Sequence, residues 1–226
     1  MQKKNLHPFK SSRLIHDRVA FIQKYIEGKE VLDFGCVAHD YRLEQQPDWL
    51  HKQICQIAKS VVGVDWDDEG VKNLNQKGYN IVSSNAERLH LGQTFDVVIA
   101  GEFIEHLSNQ GLFLEVVQKH LKKGGYFILT TPNSTGINNF LEVLLFSDVK
   151  INKDHMLWHN YSTLKQLFGR HNFSVVEYHY LFKISLWKYK GFKKFLILLR
   201  DIFCYFFILL RKKFAGTIIV VVQTKD

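Results

Sequence analysis

The chain has 226 residues, 46% hydrophobic and 23% charged, with three cysteines and a formal net charge of +8. That length can bury one full core, and the composition excludes a disordered chain. Cys36, Cys55 and Cys204 are too scattered for a disulfide framework or a zinc site, and the N-terminus has no apolar run of signal-peptide length, so a cytoplasmic location is expected.

In chain order, strand-like runs alternate with helix-like runs. Residues 12–27 read as a helix closed by Gly28. EVLDFGC (30–36) reads as a short buried strand running into a turn. Residues 47–59 read as a helix that starts at Pro47 and Asp48, and SVVGVD (60–65) as the second strand. Residues 68–78 read as a helix closed by Gly78, and YNIVSSNA (79–86) as the third strand with its exit loop. FDVVIAGE (95–102) is the fourth strand, followed by a helix over about 110–123 that stops at Gly124-Gly125. YFILTTPN (126–133) is the fifth strand, and 173–181 and 216–224 are two late strands. There is no internal repeat and no linker, so residues 1–226 read as one domain built on a parallel α/β sheet.

The early strands end in small or acidic residues: Asp33 and Gly35, Asp65, Asn85, and Glu102. In an open parallel sheet, ligands bind outside the carboxyl ends of the strands, where strand order reverses. A glycine after a strand lets the backbone approach a ligand and leaves the next N–H groups available to an anion. A carboxylate at Asp65 can accept hydrogen bonds from vicinal ribose hydroxyls. Trp66 is placed to stack on an adenine face, and an amide at Asn85 offers both donor and acceptor to an adenine edge.

VLDFGC resembles the first motif of the class I S-adenosylmethionine-dependent methyltransferases, and VVGVD resembles the second. NAERLHL, FDVVIAGEFIEHL and LKKGGYFILTTPN resemble the third, fourth and fifth, in the family's order across about residues 30–182. The resemblance implies a Rossmann-like, doubly wound, seven-stranded sheet, mostly parallel with an antiparallel last strand and helices on both faces. It implies S-adenosyl-L-methionine as cofactor, with Asp65 on the ribose, Asn85, Ala86 and Glu87 at the adenine, Gly35 near the methionine part, and Asp33 and Cys36 also among the cofactor-binding residues. Glu102 and Glu105 are placed to meet the cofactor's amino group or to orient a histidine. The chain departs from the family where Val37 and His39 replace the second and third glycines of the first motif, and where Asn85 replaces a frequent aspartate. The nicotinamide-binding fingerprint Gly-x-Gly-x-x-Gly is not met, since that register holds one glycine.

Methyl transfer to an alcohol benefits from a base titrating near neutral pH, and histidine is the usual one. His106, just beyond the fourth strand, and His155, in KDHMLWHNYS, are the candidate catalytic residues, with His159 and Tyr161 as weaker ones. No cluster shows metal-ligand spacing, so no metal is expected.

Residues 183–214 form an apolar basic insertion between the last two strands. Nine Lys/Arg and one acid, Asp201, lie between Lys183 and Lys213, which accounts for the whole net charge. The longest apolar run, 202–210, is too short to cross a bilayer. The expectation is a helix or helical hairpin on an anionic membrane surface, which makes the protein peripheral at the inner membrane face. The acceptor expected first is then a hydroxyl of a lipid-linked glycan or sugar, with a phenol of an isoprenoid quinone precursor as the alternative. The alternatives are a non-catalytic relative that keeps only the membrane segment, or nucleic-acid methylation. Nucleic acid is not expected, because the fourth strand ends in GEFIEH and the aromatics form blocks rather than alternating with cations.

Overall fold

In the computed structural model, which describes residues 12–37, 41–146, 152–182 and 190–225, the described residues form one eight-stranded sheet. Its strands are β1 (Leu14–Ile15), β2 (Glu30–Phe34), β3 (Ser60–Asp65), β4 (Ile81–Ser83), β5 (Phe95–Gly101), β6 (Leu121–Pro132), β7 (Phe173–Leu181) and β8 (Thr217–Thr224). Their spatial order is β1-β7-β8-β6-β5-β2-β3-β4. Strands β2 to β6 run parallel, and β8 runs antiparallel to both β6 and β7.

The sheet is buried on both faces, and the sequence shows why. In β8, Ile218, Val220 and Val222 enter one core while Ile219 and Val221 enter the other. An apolar residue at every position is what a doubly covered strand requires. Helices α1 (Arg18–Ile26), α2 (Leu50–Ile57) and α3 (Asp68–Gln76) cover one face. Helices α4 (Gln110–His120), α5 (Ile137–Phe146), α6 (Tyr161–Arg170) and α7 (Gly191–Leu210) lie on the other.

The expected seven strands become eight because β1 adds an edge. It pairs Leu14 with Tyr180 and Ile15 with Leu181, in a stretch whose composition reads as helix. Helix α1 starts only after Asp17, whose carboxylate accepts from the N–H groups of Val19 and Ala20. The sequence reading also missed α5 and α6. For α6 a signal was present: Asn160 and Thr163 form a reciprocal capping box ahead of Leu164 and Phe168. The predicted helix over 110–123 ends at His120, and Leu121 to Lys123 already belong to β6. Helix α7 is one continuous helix, not a hairpin. The chain leaves β2 toward β3 and β4 on one side, then returns to β5 and β6 on the other. The switch point therefore lies between β2 and β5.

Candidate functional site

A cleft of about 1290 Å³ opens at that switch point. Of the residues expected to bind cofactor, Asp33, Gly35, Cys36, Asp65, Trp66 and Glu102 line it, together with His106. Its wall carries eight Asp and Glu side chains against two cations, Arg18 and Lys153. A chain with net charge +8 thus holds an anionic cleft, which attracts a cationic ligand.

Gly35 ends β2 with φ +73°, and a Cβ there would lie 2.5 Å from Phe103 Cδ2. Only glycine satisfies both the left-handed backbone and the close ring. Asp65 is 8% exposed at the end of β3. Its Oδ2 accepts from Val37 N–H at 2.9 Å, and its Oδ1 accepts from Trp66 N–H at 2.8 Å and Asp67 N–H at 3.2 Å. A carboxylate offers about four lone-pair sites, so three are used and one is left for a ligand hydroxyl. Among the described residues Asp65 makes no salt bridge. Burial raises its pKa against the pull of those three N–H groups. Trp66 stands 81% exposed at the rim with its indole faces open.

Val37 does not enter the cleft. It is buried against α3, where a Cβ on Gly70 would meet Val37 Cγ1 at 2.5 Å. His39 lies outside the described residues. Cys36 lines the cleft as a neutral thiol, because burial and then the charges of Asp33 and Asp65 push its pKa well up. Asn85, Ala86 and Glu87 are absent from the cleft lining. Asn85 Oδ1 accepts from Glu87 N–H, Glu87 Oε1 accepts from Asn109 N–H, and Ala86 is buried.

Asp33 has a partner that sequence reading missed. Its Oδ2 lies 2.8 Å from His51 Nδ1, and both side chains are almost wholly buried. Burial lowers the His51 pKa, but the bond to Asp33 outweighs it, and the pKa is carried up to about 9. His51 Nε2 is buried without a hydrogen-bond partner. On α2, His51 falls three residues before buried Ile54, so its spacing reads as an ordinary core position.

Beyond β5, Glu102 adopts φ +53° and donates its N–H to Thr130 O at 2.9 Å and Thr130 Oγ1 at 3.1 Å. Its Oε1 is buried without a partner. A non-glycine residue in this region is a strained conformation of the kind that gathers at functional sites. Burial raises the Glu102 pKa, opposed by the Arg18 guanidinium. Glu105 is 1% exposed, accepts from Thr131 Oγ1 at 3.0 Å, and is pushed up to about 8 by burial and then by the charge of Glu102. Two buried carboxyls this close cannot both ionise easily, so the pair favours a proton on Glu105.

His106 and His155 come together, with ring centroids 4.7 Å apart in an edge-to-face arrangement. His106 Nδ1 lies 3.0 Å from Asp154 O. A carbonyl only accepts, so Nδ1 carries a proton in this bond. Glu105, His106 and His155 offer ligand atoms within 4.8 Å of one another, an arrangement able to hold a cation that sequence spacing did not reveal. His159 is structural: it is buried, its pKa is lowered by burial, and it meets the Gln110 amide at 2.8 Å. Tyr161 stacks on Tyr178 at 3.5 Å.

The loop bearing His155 is tied to Glu105 O through Met156 N–H at 2.8 Å, and to the turn after β6, where Asn133 is 2% exposed. Asn133 Nδ2 donates to Lys213 O and Ala215 O, each at 2.7 Å, and Ser134 N–H donates to His159 O at 2.7 Å.

Comparison with known proteins supplies the context for this geometry. A family model described as a methyltransferase domain matches residues 8–178. A ubiquinone biosynthesis O-methyltransferase of Rhizobium etli is 28% identical over 149 residues, covering 58% of this chain and 56% of that one. The mitochondrial ubiquinone biosynthesis O-methyltransferase of Rattus norvegicus is 25% identical over 137 residues, covering 56% and 37%. The chain thus spans about half or less of the length of these curated relatives. The structure of a SAM-dependent methyltransferase from Archaeoglobus fulgidus superposes with TM-score 0.60 at 18% identity, covering 91% of this chain and 92% of that one. One from Clostridium acetobutylicum gives TM-score 0.58 at 12% identity, covering 92% and 89%.

Proposed function

The chain belongs to the methyltransferase domain family, and on that premise we propose that it moves a methyl group from S-adenosyl-L-methionine to an acceptor hydroxyl. The cofactor supplies an electrophilic methyl on a positively charged sulfonium. The anionic cleft at the β2/β5 switch point is the observation that carries this reading.

The residues present fit that group. Asp65 keeps one acceptor site for a ribose hydroxyl, Gly35 turns the backbone at the cleft wall, and the buried, unpartnered Glu102 Oε1 would accept from a donor on the cofactor. His106, oriented by Asp154 O at the cleft, is the group to take the acceptor's proton, and His155 stands beside it. Positioning supplies much of the remaining rate, since the leaving group is neutral.

The names of the curated relatives support O-methylation in quinone biosynthesis. That favours the phenol of an isoprenoid quinone precursor over the lipid-linked glycan hydroxyl that the sequence reading placed first. Isothermal titration with S-adenosylhomocysteine tests the cofactor part. Micromolar binding is expected for the wild type, with loss in Asp65→Ala and retention in His106→Ala, which fails instead in methyl transfer. No heat with the wild type overturns the reading.

A further inference from the structure

On α7, Asp201, Cys204 and Ile208 recur three and four residues apart and face the core. The opposite stripe is apolar and faces water: Phe195, Leu199, Ile202, Phe206 and Leu209 are 48% to 62% exposed. An ordinary surface helix has the reverse polarity on its outer face. The adjoining α5 adds Phe140 and Leu144, at 61% and 65% exposed. An apolar surface of this extent on a folded domain marks a contact site.

The charges around it select the partner. Lys190 and Lys194 stand at one end of α7, with Arg211, Lys212 and Lys213 at the other. The one acid, Asp201, is buried and bound to Arg200 Nη2 at 2.6 Å, so it offsets little of this charge at the surface. A second copy of the chain fits poorly: parallel or antiparallel, pairing two α7 helices sets cations against cations. Among the described residues no helix is long and apolar enough to cross a membrane. A helix of 20 residues, about 30 Å long, that is apolar on its outer face and cationic at both ends fits the headgroup boundary of an anionic bilayer.

We propose that the outer face of α7, extended by α5, docks this protein on an anionic lipid bilayer. The apolar stripe enters the acyl boundary and the terminal cations meet the phosphates. Asn133 joins the C-terminal end of α7, through Lys213 O and Ala215 O, to the loop after β6 that also holds the His155 segment. This inference is independent of methyl transfer, and its test reads lipid rather than cofactor.

The experiment is co-sedimentation of the full chain with vesicles of phosphatidylcholine, alone or mixed with phosphatidylglycerol. The protein is expected to pellet with the mixed vesicles, weakly with phosphatidylcholine alone, and less as salt rises. Lys212→Gln and Lys213→Gln should each lower partitioning about fivefold. Phe195→Ser with Phe206→Ser should abolish it while leaving thermal unfolding and S-adenosylhomocysteine binding unchanged. Partitioning that ignores lipid charge or these substitutions overturns the proposal. So does a wild-type dimer, seen by sedimentation velocity, that the double serine variant dissolves while vesicle binding is absent.

Discussion

Asp33 looks from the chain like a strand-end carboxylate waiting for a ligand, yet folding gives its charge to His51. Both groups are buried, so removing one strands the other. His51→Ala is expected to cost roughly 3–5 kcal/mol in urea unfolding. Asp33→Asn with His51→Gln, which removes both charges, should cost clearly less. A small loss in His51→Ala would show the pair to be unimportant. Gly35, Asp65 and Glu102 were legible because each ends a strand, and strand ends of a parallel sheet share one edge. His51 was not legible, since its spacing on α2 marks it only as inward-facing. The role of Glu105 was half legible: its place beside the histidine follows from Glu-His, but its burial does not.

At the scale of elements, Asn133 fastens the end of β6 to the exit of α7, and its neighbour Ser134 holds the His159 carbonyl. Asn133→Ala would leave the buried Ala215 carbonyl without its donor, while Lys213 O keeps the Thr135 hydroxyl. A loss of about 2–3 kcal/mol is expected, together with faster amide exchange in the segment 211–217. Exchange unchanged from the wild type would remove Asn133 from this role. The long strands were readable, because doubly buried parallel strands are continuous apolar runs. The element missed at the edge was β1, two residues whose extended form depends on pairing with β7 rather than on their own composition. Helix α7 was read as apolar and basic, but its outward polarity emerges only when the buried stripe around Cys204 is known.

At the scale of the molecule, opposite charges are segregated, with carboxylates in the cleft and cations around α7. Crowded, buried carboxyls make stability depend on pH. Glu105 ionises near 4.5 in an unfolded chain but only near about 8 in the fold. Between those values the folded state keeps a proton that the unfolded state releases. Stability is therefore lost as pH rises through that window and levels off above it. Glu105→Gln has no proton to lose, so its Tm should gain on the wild type from pH 5 to pH 8. A constant difference across that range would place the carboxyl's ionisation outside it.

The amino-acid sequence by itself determined the alternation of strands and helices, the parallel core, the strand-end residues and the basic apolar insertion. Each of these is local, written in periodicity or in a short run of residues. Tertiary structure alone decided that His51 neutralises Asp33, that His106 meets His155, that Val37 turns away from the cleft, and which side of α7 faces water. The reason is physical: such pairings join residues on different elements, and only the packing of those elements sets the distances that charge, burial and hydrogen bonding obey.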